Sequence, residues 1–408
     1  MGWRILHRTG LAFCCWPRLS SNVRPHIRLS WGRLQINSKH PANSNPMPTN
    51  PRFQSVSSLM QREAAAGRYA GVAVVAIADK VIFEESTGLV LRSANLPIAR
   101  DTRFQLASTS KLFTAIAIAQ LLEQNVVGLE DSLTQWLPEF SGREQWSKVK
   151  VRHLLGHTSG FGTYWGEMFI ERRTALRSVD DYFALFSDQQ PSFEPGTGFE
   201  YSNVGYILLG AVIERASSMD YFAFIQTHIF DRSGMNDTGY FEADEDVPNL
   251  AFGYTYRALR EGSRGRVPPR LHTQLKPMRG SPAGDAVSTA PDLVRLCQAL
   301  LAGKLVGRFT LEQLWQPLHP GPKPTGSSAT YHMGLGFMTI DSQFGNPVGH
   351  TGGFAGTTTS VFMDPRSSLV AVFLASVDRE EAAPVNLAFT DSWLHQDFRN
   401  QSSEQPGG

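Results

Sequence analysis

The 408-residue sequence has little cysteine and no long hydrophobic run near its start. Two of its three cysteines, Cys14 and Cys15, are adjacent in the N-terminal segment, and Cys297 stands alone in the rest of the chain. A disulfide within the folded body is therefore excluded, and we expect Cys297 to be a buried, inert thiol. The first apolar stretch, residues 11–16, is far shorter than the roughly 20 residues that span a bilayer. The sequence predicts no integral membrane segment.

Acidic residues are absent from residues 1–62, which carry eight Arg and one Lys. Removing these nine from the 38 basic residues of the chain leaves 29 against 37 acidic residues, so the body is net acidic. A body without a basic stripe argues against a nucleic-acid partner. The basic leader has the composition of an organellar presequence. The alternative is a start at Met47 or Met60, which predicts a soluble cytoplasmic protein.

Asn, Ser and Pro are concentrated in residues 36–55, as is typical of a linker. We therefore predict a basic leader and linker over residues 1–52 and one folded domain over residues 53–396. Residues 397–408 form a polar tail.

Strand-like segments occur at both ends of this domain. β-branched and apolar residues fill segments 71–77 and 81–87 near the start, and 357–363 and 369–376 near the end. Apolar residues in the middle recur mostly at helical spacing. The pattern predicts an α+β fold. One antiparallel sheet is built from both chain ends, about residues 53–107 and 284–396, with flanking helices and a mainly helical inserted part, about residues 108–283.

Ser108 and Lys111 form an S-x-x-K element at the start of segment 109–124, which is apolar on almost every face. A helix that is apolar all round is buried. At helical spacing the two side chains lie on one face, about 5–6 Å apart at Cβ. Desolvation would lower the pKa of Lys111 and make a neutral amine available as a base. The alternative is that Ser108 only caps the helix. Residues 147–150 (SKVK) repeat the pattern in a polar segment, so the spacing alone does not decide between a catalytic pair and a helix cap.

Two further elements follow in order. Residues 201–203 (YSN) come after a Pro-Gly-Thr turn, and residues 350–353 (HTGG) precede the C-terminal strand pair. With S-x-x-K, they resemble the three signatures of the serine β-lactamase and penicillin-binding-protein superfamily. The resemblance covers about residues 55–395.

The resemblance implies a β-lactamase/transpeptidase-like fold and an acyl-enzyme serine hydrolase that needs no cofactor or metal. It makes Ser108 the nucleophile and Lys111 its base or proton relay. Tyr201 would share the base role and protonate the leaving group, and Asn203 would orient Lys111 and the substrate. The oxyanion hole would consist of the backbone N–H groups of Ser108 and Gly353.

His350 stands where many members of the superfamily carry Lys, a fixed cation for a substrate carboxylate. Since His is only partly charged near neutrality, the resemblance favours the esterase, transesterase and D-aminopeptidase branch, with His350 orienting a small ester or amide substrate. Two alternatives remain open: β-lactamase or D-amino-acid peptidase activity, and a catalytically silent scaffold of the same fold. Self-association is possible in either case.

Three other features bear on the site. Asp285 replaces the second residue of a Gly-Gly pair that is common in the superfamily, and we expect a solvated loop residue, with a charge facing the cleft as the alternative. Aromatic residues are dense in segment 161–193, which we expect to divide between core and cleft wall. His153 and His157 are four residues apart, but no H-E-x-x-H pattern surrounds them. We expect residues 157–160 to form a structural turn.

Overall fold

The computed structural model describes residues 51–256, 269–271, 275–321 and 326–398. The predicted leader lies outside these residues except for Pro51 and Arg52, and so does the predicted tail from residue 399 onward. The proposed domain boundaries and the presequence therefore stay predictions. Within the described segments, no helix has the length and apolar character needed to cross a membrane.

Strands occur mainly near the two ends of the described chain. In chain order they are β1 Gly71–Ile77, β2 Lys80–Thr87, β3 Leu89–Leu91, β4 Leu96–Pro97, β5 Phe104–Gln105, β6 Tyr254–Thr255, β7 Arg270–Leu271, β8 Val287–Ser288, β9 His319–Pro320, β10 Tyr331–Met333, β11 Met338–Ile340, β12 Val348–Phe354, β13 Thr357–Asp364 and β14 Leu369–Ala375.

Eight of these strands form one antiparallel sheet in the order β2-β1-β14-β13-β12-β11-β10-β9. The strands from the two ends of the described chain meet where β1 pairs with β14, from Gly71 opposite Ala375 to Ile77 opposite Leu369. Both strands are apolar throughout and buried along their whole length. Such continuous apolar strands need cover on both faces of a sheet. The predicted α+β architecture, with a sheet built from both chain ends, is confirmed.

The α-helices lie mostly between the two groups of strands. They are α1 Gln54–Ala65, α2 Lys111–Glu123, α3 Leu133–Trp136, α4 Val151–Leu155, α5 Glu167–Arg172, α6 Val204–Ser217, α7 Tyr221–Ile225, α8 Asp231–Ser233, α9 Ala290–Leu301, α10 Arg308–Leu314 and α11 Arg379–Leu394. The start of α2 differs from the sequence-based prediction, because a 3-10 turn, Ala107–Ser110, precedes it. A π-helical turn, Gln226–Phe230, follows α7.

The two faces of the sheet border separate apolar cores. Alternate residues of β1, such as Val72 and Val74, face a core that contains α2, whereas Ala73 and Val75 face a core that contains residues of α1 and α11. Helix α2 is buried from its first residue through Leu121, as its uniformly apolar sequence predicts. The turn that carries Ser108 is therefore held between the sheet and the helical part of the chain.

Cys297 lies buried in α9. Burial in apolar surroundings raises the pKa of its thiol to about 12. Because the thiolate is the reactive form, the predicted inert thiol is consistent with this environment.

Candidate active site

The turn that presents Ser108 packs directly against strand β12. Ala107 has a positive φ of 45°, and the 3-10 turn then leads into α2. The carbonyl oxygen of Leu106 accepts hydrogen bonds from the Thr109 N–H at 3.1 Å and from the Thr359 hydroxyl at 2.8 Å. A Cβ added to Gly352 would lie 2.3 Å from that same oxygen. Glycine at position 352 thus allows β12 to approach the turn and brings Gly353 beside Ser108.

The Lys111 side chain makes three hydrogen bonds within the site. Its Nζ donates to Asn203 Oδ1 at 2.8 Å, to the Ala283 carbonyl at 2.5 Å and to Ser108 Oγ at 3.3 Å. The Asn203 side-chain oxygen and the Ala283 carbonyl oxygen can only accept hydrogen bonds, whereas the Ser108 hydroxyl can donate or accept one. When Lys111 loses a proton, its lone pair is therefore free for the Ser108 hydroxyl while the other two bonds persist.

Complete burial gives Lys111 an unusual acid–base character. Desolvation lowers its pKa from the ordinary 10.5 to about 7, although the negative charge of Asp285 acts in the opposite direction. A substantial fraction of this amine is neutral at physiological pH. A neutral amine at hydrogen-bond distance from a hydroxyl meets the geometric and acid–base requirements of a general base.

Tyr201 lies beside this amine. Lys111 Nζ is 5.0 Å from the centroid of the Tyr201 ring. Burial raises the pKa of Tyr201 above its ordinary range, while a hydrogen bond with Ser108 and the positive charge of Arg379 act to lower it. The phenol is therefore protonated at neutral pH and is a proton donor in this state.

The ring of His157 packs against the ring of Tyr201. The two rings stack with 4.4 Å between centroids, and the His157 Nδ1 accepts the backbone N–H of Ser202 at 3.0 Å. The acceptor role of Nδ1 places the ring proton on Nε2. His157 has a positive φ of 59°, which agrees with the predicted turn at residues 157–160. The prediction missed the contact with Tyr201, since the two residues are far apart in sequence.

His350 is 1% exposed, and burial lowers its pKa to about 3. Its Nδ1–H donates to the Thr351 carbonyl at 2.6 Å, so the neutral ring carries its proton there. The ring centroid lies 6.3 Å from that of Tyr201. His350 is thus uncharged at neutral pH, which differs from the partial charge that the sequence suggested. Its role toward the substrate stays a prediction.

The positively charged side chain of Arg379 lies next to Gly353. The Arg379 guanidinium, from the first residue of α11, lies so near that a Cβ added at position 353 would be 2.7 Å from its Nη2.

Strand β12 pairs with β11 only at Val348 and Gly349. Beyond this point, the edge of β12 opposite β13 has no partner strand among the described residues, and Gly353 lines the pocket together with Ser108.

The pocket combines aromatic walls with polar groups. Its lining consists of Ala107, Ser108, Tyr164, Trp165, Phe169, Asn203, Pro277, Ser281, Ala283, Gly284, Asp285, Gly353 and Phe354. The rings of Trp165 and Phe354 are 5.6 Å apart at the rim, and Trp165 is 49% exposed. By contrast, Phe161, Tyr182 and Phe186 belong to the core. Segment 161–193 therefore divides between core and cleft, as expected.

Asp285 differs from its expected place as a solvated loop residue. It is half-buried and lines the pocket that contains Ser108, and its backbone N–H donates to the Ala107 carbonyl at 3.1 Å. Burial raises the pKa of its carboxyl group, and the charges of Lys276 and Lys111 oppose this change. The sequence signal for this position was the departure from the Gly-Gly pair. Asp285 also lines a second cavity together with Lys276, so it lies between the two cavities.

The predicted site residues therefore converge, with one qualification. Ser108, Lys111, Tyr201 and Asn203 form one connected cluster, and Gly353 borders the same pocket. His350 lies behind Tyr201 and is not part of the pocket lining. His157 and Arg379 are additional neighbours that sequence reasoning did not place at the site. Asp285, for which a place at the cleft was the alternative expectation, also lines the pocket.

Comparison with known proteins agrees with this architecture. The family model described as Beta-lactamase matches residues 56–390. Penicillin-binding protein 4* of Bacillus subtilis (strain 168) is 31% identical over 327 residues, which cover 77% of this chain and 70% of that protein. Esterase EstB of Burkholderia gladioli is 33% identical over 189 residues, covering 43% of this chain and 48% of the esterase.

Solved structures share the fold. A penicillin-binding protein from Bacillus halodurans superposes with a TM-score of 0.68 and 27% identity, covering 80% of this chain and 97% of that chain. D-amino acid amidase from Ochrobactrum anthropi SV3 superposes with a TM-score of 0.71 and 23% identity, covering 86% of this chain and 99% of the amidase. The family match, with an antiparallel sheet and a Ser-Lys-Tyr cluster in the expected places, means that the chain belongs to the beta-lactamase family of serine hydrolases.

Proposed function

We propose that this serine hydrolase cleaves a small ester or amide through an acyl-enzyme on Ser108. The observation that carries the proposal is the contact of the buried Lys111 amine with Ser108 Oγ, since it joins a nucleophile to a base whose pKa is about 7. An activated hydroxyl, a proton shuttle and donors for the developing negative charge are the parts that acyl transfer needs.

In the first half of the reaction, neutral Lys111 accepts the Ser108 proton as Oγ bonds to the substrate carbonyl carbon. Asn203 and the Ala283 carbonyl hold the amine in place through the two remaining bonds. The backbone N–H groups of Ser108 and Gly353 stabilise the oxyanion. The protonated phenol of Tyr201 donates a proton to the departing alcohol or amine.

Water then cleaves the acyl-enzyme by the reverse path. Lys111 first passes the proton that it took from Ser108 to the Tyr201 phenolate, which restores the neutral amine and the phenol. The neutral amine then accepts a proton from the attacking water and delivers it to the Ser108 oxygen, which leaves as the hydroxyl. The aromatic rim formed by Trp165 and Phe354 favours substrates with an apolar acyl or leaving group. The similarity to an esterase and to a D-amino acid amidase supports esters and amides as the substrate class.

Covalent labelling tests the nucleophile. A fluorophosphonate probe should label the native protein, and peptide mapping should locate the label at Ser108. Ser108→Ala should abolish labelling, while the matched variant Ser147→Ala, at the other S-x-x-K segment, should retain it. Label at another serine, or unchanged labelling of Ser108→Ala, would contradict the proposal.

The pH dependence tests the base. Because Lys111 must be neutral to accept a proton, kcat/KM for a neutral ester should rise as the pH increases through about 7. Esters such as p-nitrophenyl acetate, together with D-amino-acid anilides and nitrocefin, would show which carbonyl class is preferred. A profile that is flat between pH 5 and 9 would exclude Lys111 as the base.

A further inference from the structure

His157 contacts three consecutive residues of the segment that carries Tyr201. Its backbone carbonyl accepts the Glu200 N–H at 3.0 Å, and its Nδ1 accepts the Ser202 N–H at 3.0 Å. Its imidazole stacks on the Tyr201 ring, with 4.4 Å between the centroids and 27° between the planes. One residue therefore holds both the backbone on each side of Tyr201 and the Tyr201 ring itself.

His157 makes these contacts from an unusual backbone conformation. Its φ is 59°, in the left-handed region that residues with a side chain rarely adopt. It lies in a tight turn, in which the Thr158 N–H donates to the His153 carbonyl at 2.8 Å. From this turn, both the carbonyl group and the side chain of His157 reach segment 200–202.

The imidazole of His157 is itself closely confined. It is fully buried, and its ring also stacks on Tyr206 at 5.2 Å and lies at a right angle to the Phe199 ring at 6.2 Å. Tyr206 is fixed in turn, since its hydroxyl donates to the Leu155 carbonyl at 3.3 Å. Burial lowers the pKa of His157 well below its ordinary value, so the ring is neutral and Nδ1 keeps the lone pair that accepts the Ser202 N–H.

Tyr201 depends on its position in the proposed reaction. As the bond between the acyl carbon and the leaving atom breaks, the phenol O–H bond also breaks and its proton joins the leaving atom. Lys111 later returns a proton to the phenolate. This transfer needs the phenol oxygen within hydrogen-bond reach of the leaving atom, and small displacements of a catalytic group lower the rate. A residue that fixes the Tyr201 ring therefore affects this step more than it affects the attack by Ser108.

We infer that His157 is a positioning residue that acts through Tyr201, by holding its phenol where it can protonate the leaving group. The inference rests on the proposed function. A merely structural residue would, when replaced, lower activity toward all esters alike. A positioning residue for the proton donor would lower activity most for leaving groups that need a proton.

Two acetate esters test this role, because they form the same acetyl-enzyme and differ only in the leaving group. Benzyl acetate releases a basic alkoxide, whereas p-nitrophenyl acetate releases a stable phenolate that needs little protonation. We define the acid ratio as kcat/KM for benzyl acetate divided by kcat/KM for p-nitrophenyl acetate. His157→Ala should lower the acid ratio by roughly 10-fold or more, which is part of the about 10²–10⁴-fold that a general acid contributes.

A conservative variant and a matched control accompany this measurement. His157→Asn should retain part of the acid ratio, because Asn tolerates the left-handed backbone and its side-chain oxygen, two bonds from Cβ like Nδ1 of His, can accept the Ser202 N–H. His153→Asn is the control and should leave the ratio unchanged. The His153 Nδ1 accepts the Lys150 N–H at 3.3 Å, at the start of α4. Thermal unfolding would establish that each variant is folded, and His157→Asn would replace His157→Ala in every comparison if the latter did not fold.

A double variant decides whether His157 acts through Tyr201. Tyr201→Phe removes the proton donor and should itself lower the acid ratio, and adding His157→Ala should lower it no further. A further decrease in the double variant, or equal losses for both esters in His157→Ala, would overturn the inference.

The same measurements separate this inference from the proposed function. An unchanged acid ratio in His157→Ala, together with a reduced ratio in Tyr201→Phe, would overturn the inference alone. An unchanged ratio in Tyr201→Phe, or absent fluorophosphonate labelling of Ser108, would overturn the proposed function as well.

Discussion

The chain contains two S-x-x-K segments, and they have opposite environments. Lys111 is completely buried and contacts Ser108. Ser147 is exposed and its hydroxyl donates to the Glu144 carbonyl at 2.8 Å, while Lys150 Nζ pairs with Glu130 at 2.7 Å. The Lys150 side chain is 43% exposed. The same four-residue spacing therefore gives a desolvated pair in one place and two unrelated surface side chains in the other.

Local structure explains part of the difference. Ser108 and Lys111 are continuous through a 3-10 turn into α2. Ser147 follows the 3-10 turn Glu144–Trp146, and α4 begins only at Val151, after Lys150. The second pair does not share a helix face. Burial against the sheet, together with helical continuity, therefore distinguishes a serine and lysine in hydrogen-bond contact from a chance repeat of the pattern.

The sharpest test of the comparison removes each serine. Ser108→Ala should lower kcat for ester hydrolysis by a factor on the order of 10⁶, as loss of the nucleophile does in other serine hydrolases. Ser147→Ala should leave kcat unchanged, because its hydroxyl bonds only a local carbonyl. Steady-state kinetics with one aryl ester would measure both. Comparable losses in the two variants would remove the distinction between the segments.

The next largest effect should come from the lysines. Lys111→Met should reduce kcat/KM by roughly 10²–10⁴-fold, the usual contribution of a general base. Lys150→Met should have activity close to wild type. Circular dichroism and thermal unfolding would establish that both variants are folded. A Lys111→Met enzyme with undiminished activity would contradict the role assigned to its amine.

The pH dependence of stability provides a smaller, independent contrast. The pKa of Lys111 is about 7 in the folded chain and near 10.5 when exposed. Between these values the unfolded chain binds more protons, so the free energy of unfolding should rise with pH, by at most about 1.4 kcal/mol per pH unit for this one group. Lys111→Met should lose this contribution, although Lys276, whose pKa burial lowers to about 8, retains one in the same direction.

Urea unfolding at pH 7, 8, 9 and 10 would measure these slopes. Lys150→Met serves as the control and should follow the wild-type slope. If Lys111→Met and wild type have parallel profiles, then the Lys111 amine is not desolvated in the folded protein.

The smallest expected effect concerns the ion pairs around the second segment. Glu130 accepts from both Lys150 and Arg152, and these two hydrogen bonds lower its pKa to about 2. All three side chains are substantially exposed, and exposed pairs contribute about 0–1 kcal/mol. Glu130→Gln should therefore leave the midpoint of urea unfolding close to that of the wild type. A clearly lower midpoint would show that this surface segment is more tightly coupled to the fold than its exposure indicates.

Several parts of this architecture were readable from residue patterns. The buried helix after Ser108, the strands at both chain ends and the order of the three motifs predicted the sheet and the Ser108–Lys111–Tyr201 cluster. Patterns could not give the charge state of His350 or the partial burial of Asp285. The first depends on burial that lowers a pKa, and the second on how its loop packs against the rest of the chain.

The sequence by itself determined the chemistry available to this protein: a serine and a lysine on one turn, a distant tyrosine and asparagine, and a glycine pair. Only the tertiary structure decided which S-x-x-K segment is desolvated, which cation lies near Gly353 and which carboxylate lines the pocket. The physical reason is that hydrophobic periodicity is local, whereas desolvation and charge pairing depend on residues that come from distant parts of the chain.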